Sequence, residues 1–224
     1  MPLHGKGMLV VYTEAKPRHE RDLNEWYNRE HIDERINLPG FHRARRYVSV
    51  KGSPKYLATY ECDSAEDLAT PGYLHLLANQ TPWSNRVTGR FSHFTRMTLR
   101  LQLDLTHGDG GALTTVRFAP TPALRHQLVK WLKEALPKVI ARPGMVGAAV
   151  LENDVEIANA PAAQRSMDHP RADQAEWLVM LEGAEAAATA SAARALFRTS
   201  ALKPFGVVKP ARIGTYRFLF GNAR

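Results

Sequence analysis

The chain has 224 residues, 44% of them hydrophobic, with a formal charge of +8 from 30 basic and 22 acidic side chains. That length allows one large domain or two small ones with a real core, and the hydrophobic share excludes a disordered chain. No apolar run approaches the roughly 18–20 residues of a membrane span. The segment Met1–Val11 lacks the long apolar region and cleavage site of a secretory signal. A cytoplasmic protein without membrane contact is expected. The single cysteine, Cys62, excludes an internal disulfide and a Cys-rich metal site. At the end of a predicted strand it reads as a small, half-buried filler. The basic residues are scattered. The densest group, Arg43, Arg45 and Arg46, comes without the aromatic-basic signature of an RNA-binding sheet. It reads as solvated surface, and nucleic acid is not expected as a partner.

Met8–Tyr12 is a short β-rich run. A polar helix is predicted from Arg21 to Leu38, stopped by Pro39-Gly40. Strands follow at Arg45–Val50 and Tyr56–Glu61, joined by a turn at Gly52-Ser-Pro54. Ser64, with Asp67 three residues on, has capping-box spacing. The helix it starts is interrupted at Pro71-Gly72 and resumes over Tyr73–Asn79; Phe91–Leu105 is a long fourth strand. After the Gly-rich polar link Asp104–Ala112 the order repeats. Leu113–Phe118 is a strand, and Thr121-Pro122 starts a helix. Leu124, Leu128, Trp131, Leu132, Ala135 and Val139 form its stripe, and Pro143-Gly144 stops it. Met145–Ile157 is a strand broken at Asn153-Asp154, and a polar loop runs to about Asp173. Strand Glu176–Leu181, an Ala-rich helix Ala184–Arg198 and strand Ile213–Phe220 complete the chain.

Both halves read β-α-β-β-α-β, the ferredoxin-like order. Trp26 matches Trp131, Pro39-Gly40 matches Pro143-Gly144, and Tyr56-Leu57 matches Trp177-Leu178, all in the same order. The expected domains are residues 1–105 and 106–224. A one-sided antiparallel sheet alternates apolar and polar residues. Here Met8–Tyr12 and Trp177–Leu181 are apolar on both faces. The expectation is an α+β protein whose two half-sheets pack against each other within the chain.

The segment Trp26–Phe41 is the informative one. At about 100° per residue, Leu23, Tyr27, Glu30 and Glu34 share one side of the helix, flanked by Trp26 and His31. Ile32 and Ile36 fall on the far side, so the helix bends or touches protein on two sides. A Trp, a His five residues later and Pro-Gly-Phe at the helix end resemble the EthD-like group of the dimeric α/β-barrel superfamily. The motif likeness covers Asn24 to Tyr47. Members usually carry one ferredoxin-like unit and dimerise, so the resemblance implies a pseudo-dimeric barrel made by one chain. It also implies chemistry among cofactor-free monooxygenases, isomerases, cyclases and tautomerases, and some haem enzymes. The motif His carries over to His31. In the second half the matching place is Ala135 or Leu136, so that half departs from the pattern.

His31 suits general acid–base work, or axial ligation of haem. The alternative is a structural histidine bonded to Glu34, Tyr27 or the backbone. The nearby acids Glu30, Asp33 and Glu34 lack a second His at metal spacing, so no metal site is expected. Tyr12, Tyr60, Phe91 and His93 on strands, with Trp26 and Tyr27 on the helix and Trp83 beside the broken helix, are the candidate lining of an aromatic-substrate pocket. His93 is placed on one strand face with Phe91 and Thr95. The leading expectation is a small-molecule enzyme without a cofactor. It acts on an aromatic or polyketide-like ligand through His31, by tautomerisation, isomerisation, cyclisation or monooxygenation. The rival is a non-catalytic ligand-binding or assembly protein of the same fold. The expected partners are a small molecule and, optionally, a second copy of the chain as a homo-oligomer.

Overall fold

A computed structural model describes residues 3–160 and 175–224. The last part of the expected polar loop, 161–174, lies outside the described residues. The strands are β1 (Gly7–Ala15), β2 (Phe41–Ser49), β3 (Tyr56–Cys62), β4 (Phe91–Asp104), β5 (Ala112–Phe118), β6 (Met145–Asn153), β7 (Trp177–Gly183) and β8 (Arg212–Ala223). They close into one antiparallel barrel in the order β1-β3-β2-β8-β5-β7-β6-β4. Strand β2 of the first half pairs with β8, and β4 pairs with β6. Each half thus joins its second strand to the other half's fourth. This is the pseudo-dimeric α/β barrel of ferredoxin-like halves that the repeated element order predicts.

Closure explains the two-faced strands. Met8 and Val10 of β1, Leu57 of β3, Met97 and Leu99 of β4, and Leu178 and Met180 of β7 fill the barrel interior. Leu9 and Val11 face outward, into a core under the first-half helices. A matching core in the second half joins Val116 and Val179 to Leu128, Leu132 and Leu136 of α5 (Arg125–Ile140, the helices being numbered in chain order). Both halves stop a helix at glycine in the left-handed region, Gly40 at φ +84° and Gly144 at +80°. Ser64 and Asp67 form the capping box, with Ser64 N–H donating to Asp67 Oδ2 at 2.7 Å. It starts only a 3₁₀ turn, Ala65–Ala69; Thr70 then caps α3 (Pro71–Ala78). Thr121 makes no side-chain cap, and the next residues form a 3₁₀ turn before α5. Strand β6 ends at Asn153, and Asp154 caps the short helix α6 (Val155–Asn159).

Two expectations are corrected. Strand β2 begins at Phe41, four residues before Arg45, so Arg43 belongs to it as well. Nor are the arginines solvated: Arg43, Arg45 and Arg46 are 5%, 4% and 1% exposed. Arg43 Nε donates to Glu61 at 2.9 Å, Arg45 donates to Glu182 at 2.6 Å, and Asp109 from the Gly-rich link accepts from both. Glu61 lies on β3 and Glu182 on β7, so the cluster ties the two half-sheets at one end of the barrel. Arg46 turns to the helical side, toward Asn24 and Asn28. Among the described residues no helix is long and apolar enough to cross a membrane.

Candidate functional site

The first helix explains the mixed stripe. It runs as α1 (Glu20–Trp26), a π turn over Tyr27–His31, and α2 (Ile32–Ile36). A π turn holds one residue more than an α turn. The chain beyond the π turn is rotated back by about 100°, one residue's share of a 3.6-residue turn. Ile32, Arg35 and Ile36 therefore come round to the buried side with Leu23, Trp26 and Tyr27. A strict 3.6-residue period places the two isoleucines on the far side. His31 closes the π turn, on the side facing the sheet.

There the His31 ring sits 4.0 Å from the Trp26 ring, centre to centre, and edge-on to Tyr27 at 5.2 Å. Both neighbours are fixed. Trp26 Nε1 donates to Ser84 Oγ at 2.9 Å and to Glu30 at 3.2 Å. Glu30 also accepts from Thr81 and Ser84, at the start of α4 (Pro82–Thr88). Tyr27 lies over the buried Arg46 guanidinium, 4.0 Å from its ring centre; Arg46 itself donates to Asn24 and Asn28. Burial pushes the Tyr27 phenol up, so it stays protonated through the neutral range.

A cleft with about 50 Å³ of free volume opens beside His31, between helix and sheet. It holds a few waters or the edge of a small ring. Trp26, Tyr27, His31 and Phe91 line it, so four of the sequence candidates converge. Tyr60 stands behind His31 on the same sheet face, rings 6.1 Å apart. Its hydroxyl is buried without an acceptor among the described residues. Trp83 packs against the same core but does not line the cleft; its Nε1 donates to Asp22 at 2.9 Å.

Tyr12 and His93 are not brought to the cleft. Tyr12 pairs with Leu57, whereas Leu9 pairs with Tyr60, so Tyr12 points into the barrel interior. The β1–β4 register shifts between Glu14↔His93 and Ala15↔Phe91. That bulge puts Phe91 on the cleft face with Phe94 and Arg96, and it separates His93 from them. His93 instead meets Thr95 Oγ1 at 3.1 Å. The sequence pattern does not single out Arg35, Tyr73, Leu77, Phe94 and Arg96, which also line the cleft. Arg35 is legible as the residue one turn after His31; the others depend on the bulge and on how α3 docks.

Among the described residues, no group of three His, Cys, Asp or Glu side chains is placed to hold a metal. His31 and His93 face different layers and do not form a paired axial site, and the cleft is small for a porphyrin. Haem titration is expected to give no Soret band at stoichiometric ratio. A band that disappears in His31→Ala would overturn this.

No protein-family model matches the sequence, and no curated protein matches it. Solved structures do match. An anthrone oxidase-like protein superposes with TM-score 0.66 at 14% identity, over 97% of this chain and 92% of that one. A candidate monooxygenase from Lactobacillus acidophilus gives 0.59 at 12%, over 97% and 96%. Another from Fusobacterium nucleatum subsp. nucleatum gives 0.57 at 8%, over 99% and 96%. The likeness shows the fold: a dimeric α/β barrel closed within one chain, an architecture used by small-molecule enzymes. At such identities it carries no reaction across.

Proposed function

We propose that the cleft binds a small aromatic or polyketide-like molecule, and that His31 moves a proton on it, as in an EthD-like enzyme. The observation that carries this reading is the His31 ring held between Trp26 and Tyr27 at the wall of a cleft closed by Phe91. An imidazole titrates near neutrality and can take a proton from a C–H acidified by a neighbouring carbonyl. The aromatic walls suit a flat ligand. Return of the proton to another atom completes a tautomerisation or isomerisation. Oxygenation is the second reading, favoured by the descriptions of the neighbouring structures. The carbanion that His31 generates is then oxidised by dioxygen, the external oxidant.

Anthrone separates these readings. Under argon in deuterated buffer, the protein is expected to speed exchange of the anthrone methylene hydrogens over buffer alone. In air, oxygenation converts anthrone and O₂ to anthraquinone and water, which is read by absorbance. Exchange without oxidation selects proton transfer; oxidation selects the second reading. If neither is accelerated while the ligand still shifts the His31 ring signals in NMR spectra, the protein is a binding protein and the catalytic reading fails.

A further inference from the structure

The charge of the cleft wall points to its ligand. Two guanidinium groups line the cleft, Arg35 from α2 and Arg96 from β4, and among the described residues no carboxylate does. Arg35 is 3% exposed. Its only side-chain hydrogen bond among the described residues is a long one, 3.4 Å to Glu34. Glu34 is a poor counter-charge, because burial pushes its carboxyl above the ordinary range, toward the neutral form. Arg96 makes two contacts of 3.4 Å, to the Ala158 carbonyl and the Tyr73 hydroxyl. Its Nε is buried and meets no acceptor among the described residues.

The buried arginines elsewhere are better served. Arg43 and Arg45 meet carboxylates at 2.6–2.9 Å, and Arg46 has two amide oxygens within 3.0 Å and the Tyr27 ring. A guanidinium has five donors and no acceptor, and it matches a planar carboxylate in shape. Removing such a charge from water without an anion is costly. Two of them facing one cleft lack only the anion.

We infer that the cleft is an anion site, and that its ligand is a small aromatic acid whose carboxylate is received by Arg35 and Arg96 beside His31. This rests on the reading of the cleft as the ligand site and narrows its substrate class. Arg35 lies one helical turn beyond His31, so a carboxylate on the arginines sets the adjoining ring against the imidazole. The carboxylate fixes orientation, and the ring presents its proton.

The test uses the full chain and two matched pairs of probes, benzoate with benzamide and 2-hydroxybenzoate with 2-hydroxybenzamide. Affinities are measured by calorimetry in chloride buffer of constant ionic strength. Each acid is expected to bind about tenfold or more tightly than its amide, since hydrogen bonds between charged groups are the strong ones. Arg96→Gln should abolish that preference while leaving amide affinity unchanged. Arg35→Gln should do the same where its circular dichroism matches the parent. Arg96→Gln decides the matter alone if the buried Arg35 variant fails to fold. Equal affinity for acids and amides, or a preference that survives Arg96→Gln, overturns the anion site yet leaves the cleft as a ligand site. If no probe binds and none moves the His31 ring signals, the anion site is overturned and the reading of the cleft falls with it.

Discussion

Arg45→Met is expected to destabilise the protein by about 3–5 kcal/mol, the usual cost of breaking a buried ion pair. Arg45 is 4% exposed and donates to Glu182 at 2.6 Å; it also lies 3.4 Å from Glu61 and 3.2 Å from Asp109. Methionine fills the volume but leaves Glu182 with only the Gly110 N–H, at 3.1 Å, among the described residues. Glu61 keeps Arg43, so the loss concentrates on the β7 side of the cluster. The deficit should depend on pH. Burial already pushes the Glu182 carboxyl above its ordinary value of 4.5, against the pull of Arg45. Without Arg45 it rises further. A folded state that holds a proton the unfolded chain releases loses stability as pH climbs above that ordinary value. The variant's deficit should therefore shrink as pH is lowered toward 4.5 and grow toward neutrality. Urea unfolding at several pH values reads it, with Arg45→Met/Glu182→Gln recovering part of the loss. A deficit under about 1 kcal/mol at neutral pH, no more than a surface pair gives, would show that the cluster does not hold the two half-sheets together.

That cluster also marks what a sequence hides. The repeated order of elements is legible because Pro39-Gly40 and Pro143-Gly144 stop helices for a local reason, the glycine φ. Barrel closure is legible because β1 and β7 are apolar on both faces. The run His42-Arg-Ala-Arg-Arg46 is not legible as strand over its whole length, and its burial is not legible at all, because its counter-charges Glu61, Glu182 and Asp109 are distant in sequence. The site divides the same way. Trp26, Tyr27 and His31 fall within little more than one helical turn, so their convergence is local. His93 and Ile32 are misplaced by irregularities of one residue, a β-bulge and a π turn, which a fixed period of 2 or 3.6 cannot register. Arg35 and Arg96 read as two more basic residues among 30. Only their burial without good acceptors sets them apart.

His31→Ala is expected to lower turnover of any substrate found by about 10²–10⁴-fold, the usual contribution of a positioned acid or base. The effect on stability should be small by comparison. His31 is half-buried and opens onto the cleft, so its removal enlarges space that already exists. The main packing lost is the ring contact with Trp26, worth about 0.5–1.5 kcal/mol. For a chain of this length each 1 kcal/mol lowers Tm by roughly 2–4 °C. Trp26 itself stays anchored by Ser84 and Glu30, so the cleft should survive. A histidine whose role is to fasten the helix gives the opposite pattern: a larger drop in Tm, because a buried partner left unsatisfied costs about 1–3 kcal/mol, with unchanged rates and ligand response. His31→Gln sharpens the comparison, since it keeps a polar group of similar length but cannot exchange a proton near neutral pH. Turnover lost in both variants with Tm held in His31→Gln assigns the imidazole to proton transfer. Turnover kept in His31→Gln would remove His31 from the chemistry and leave it as part of the wall.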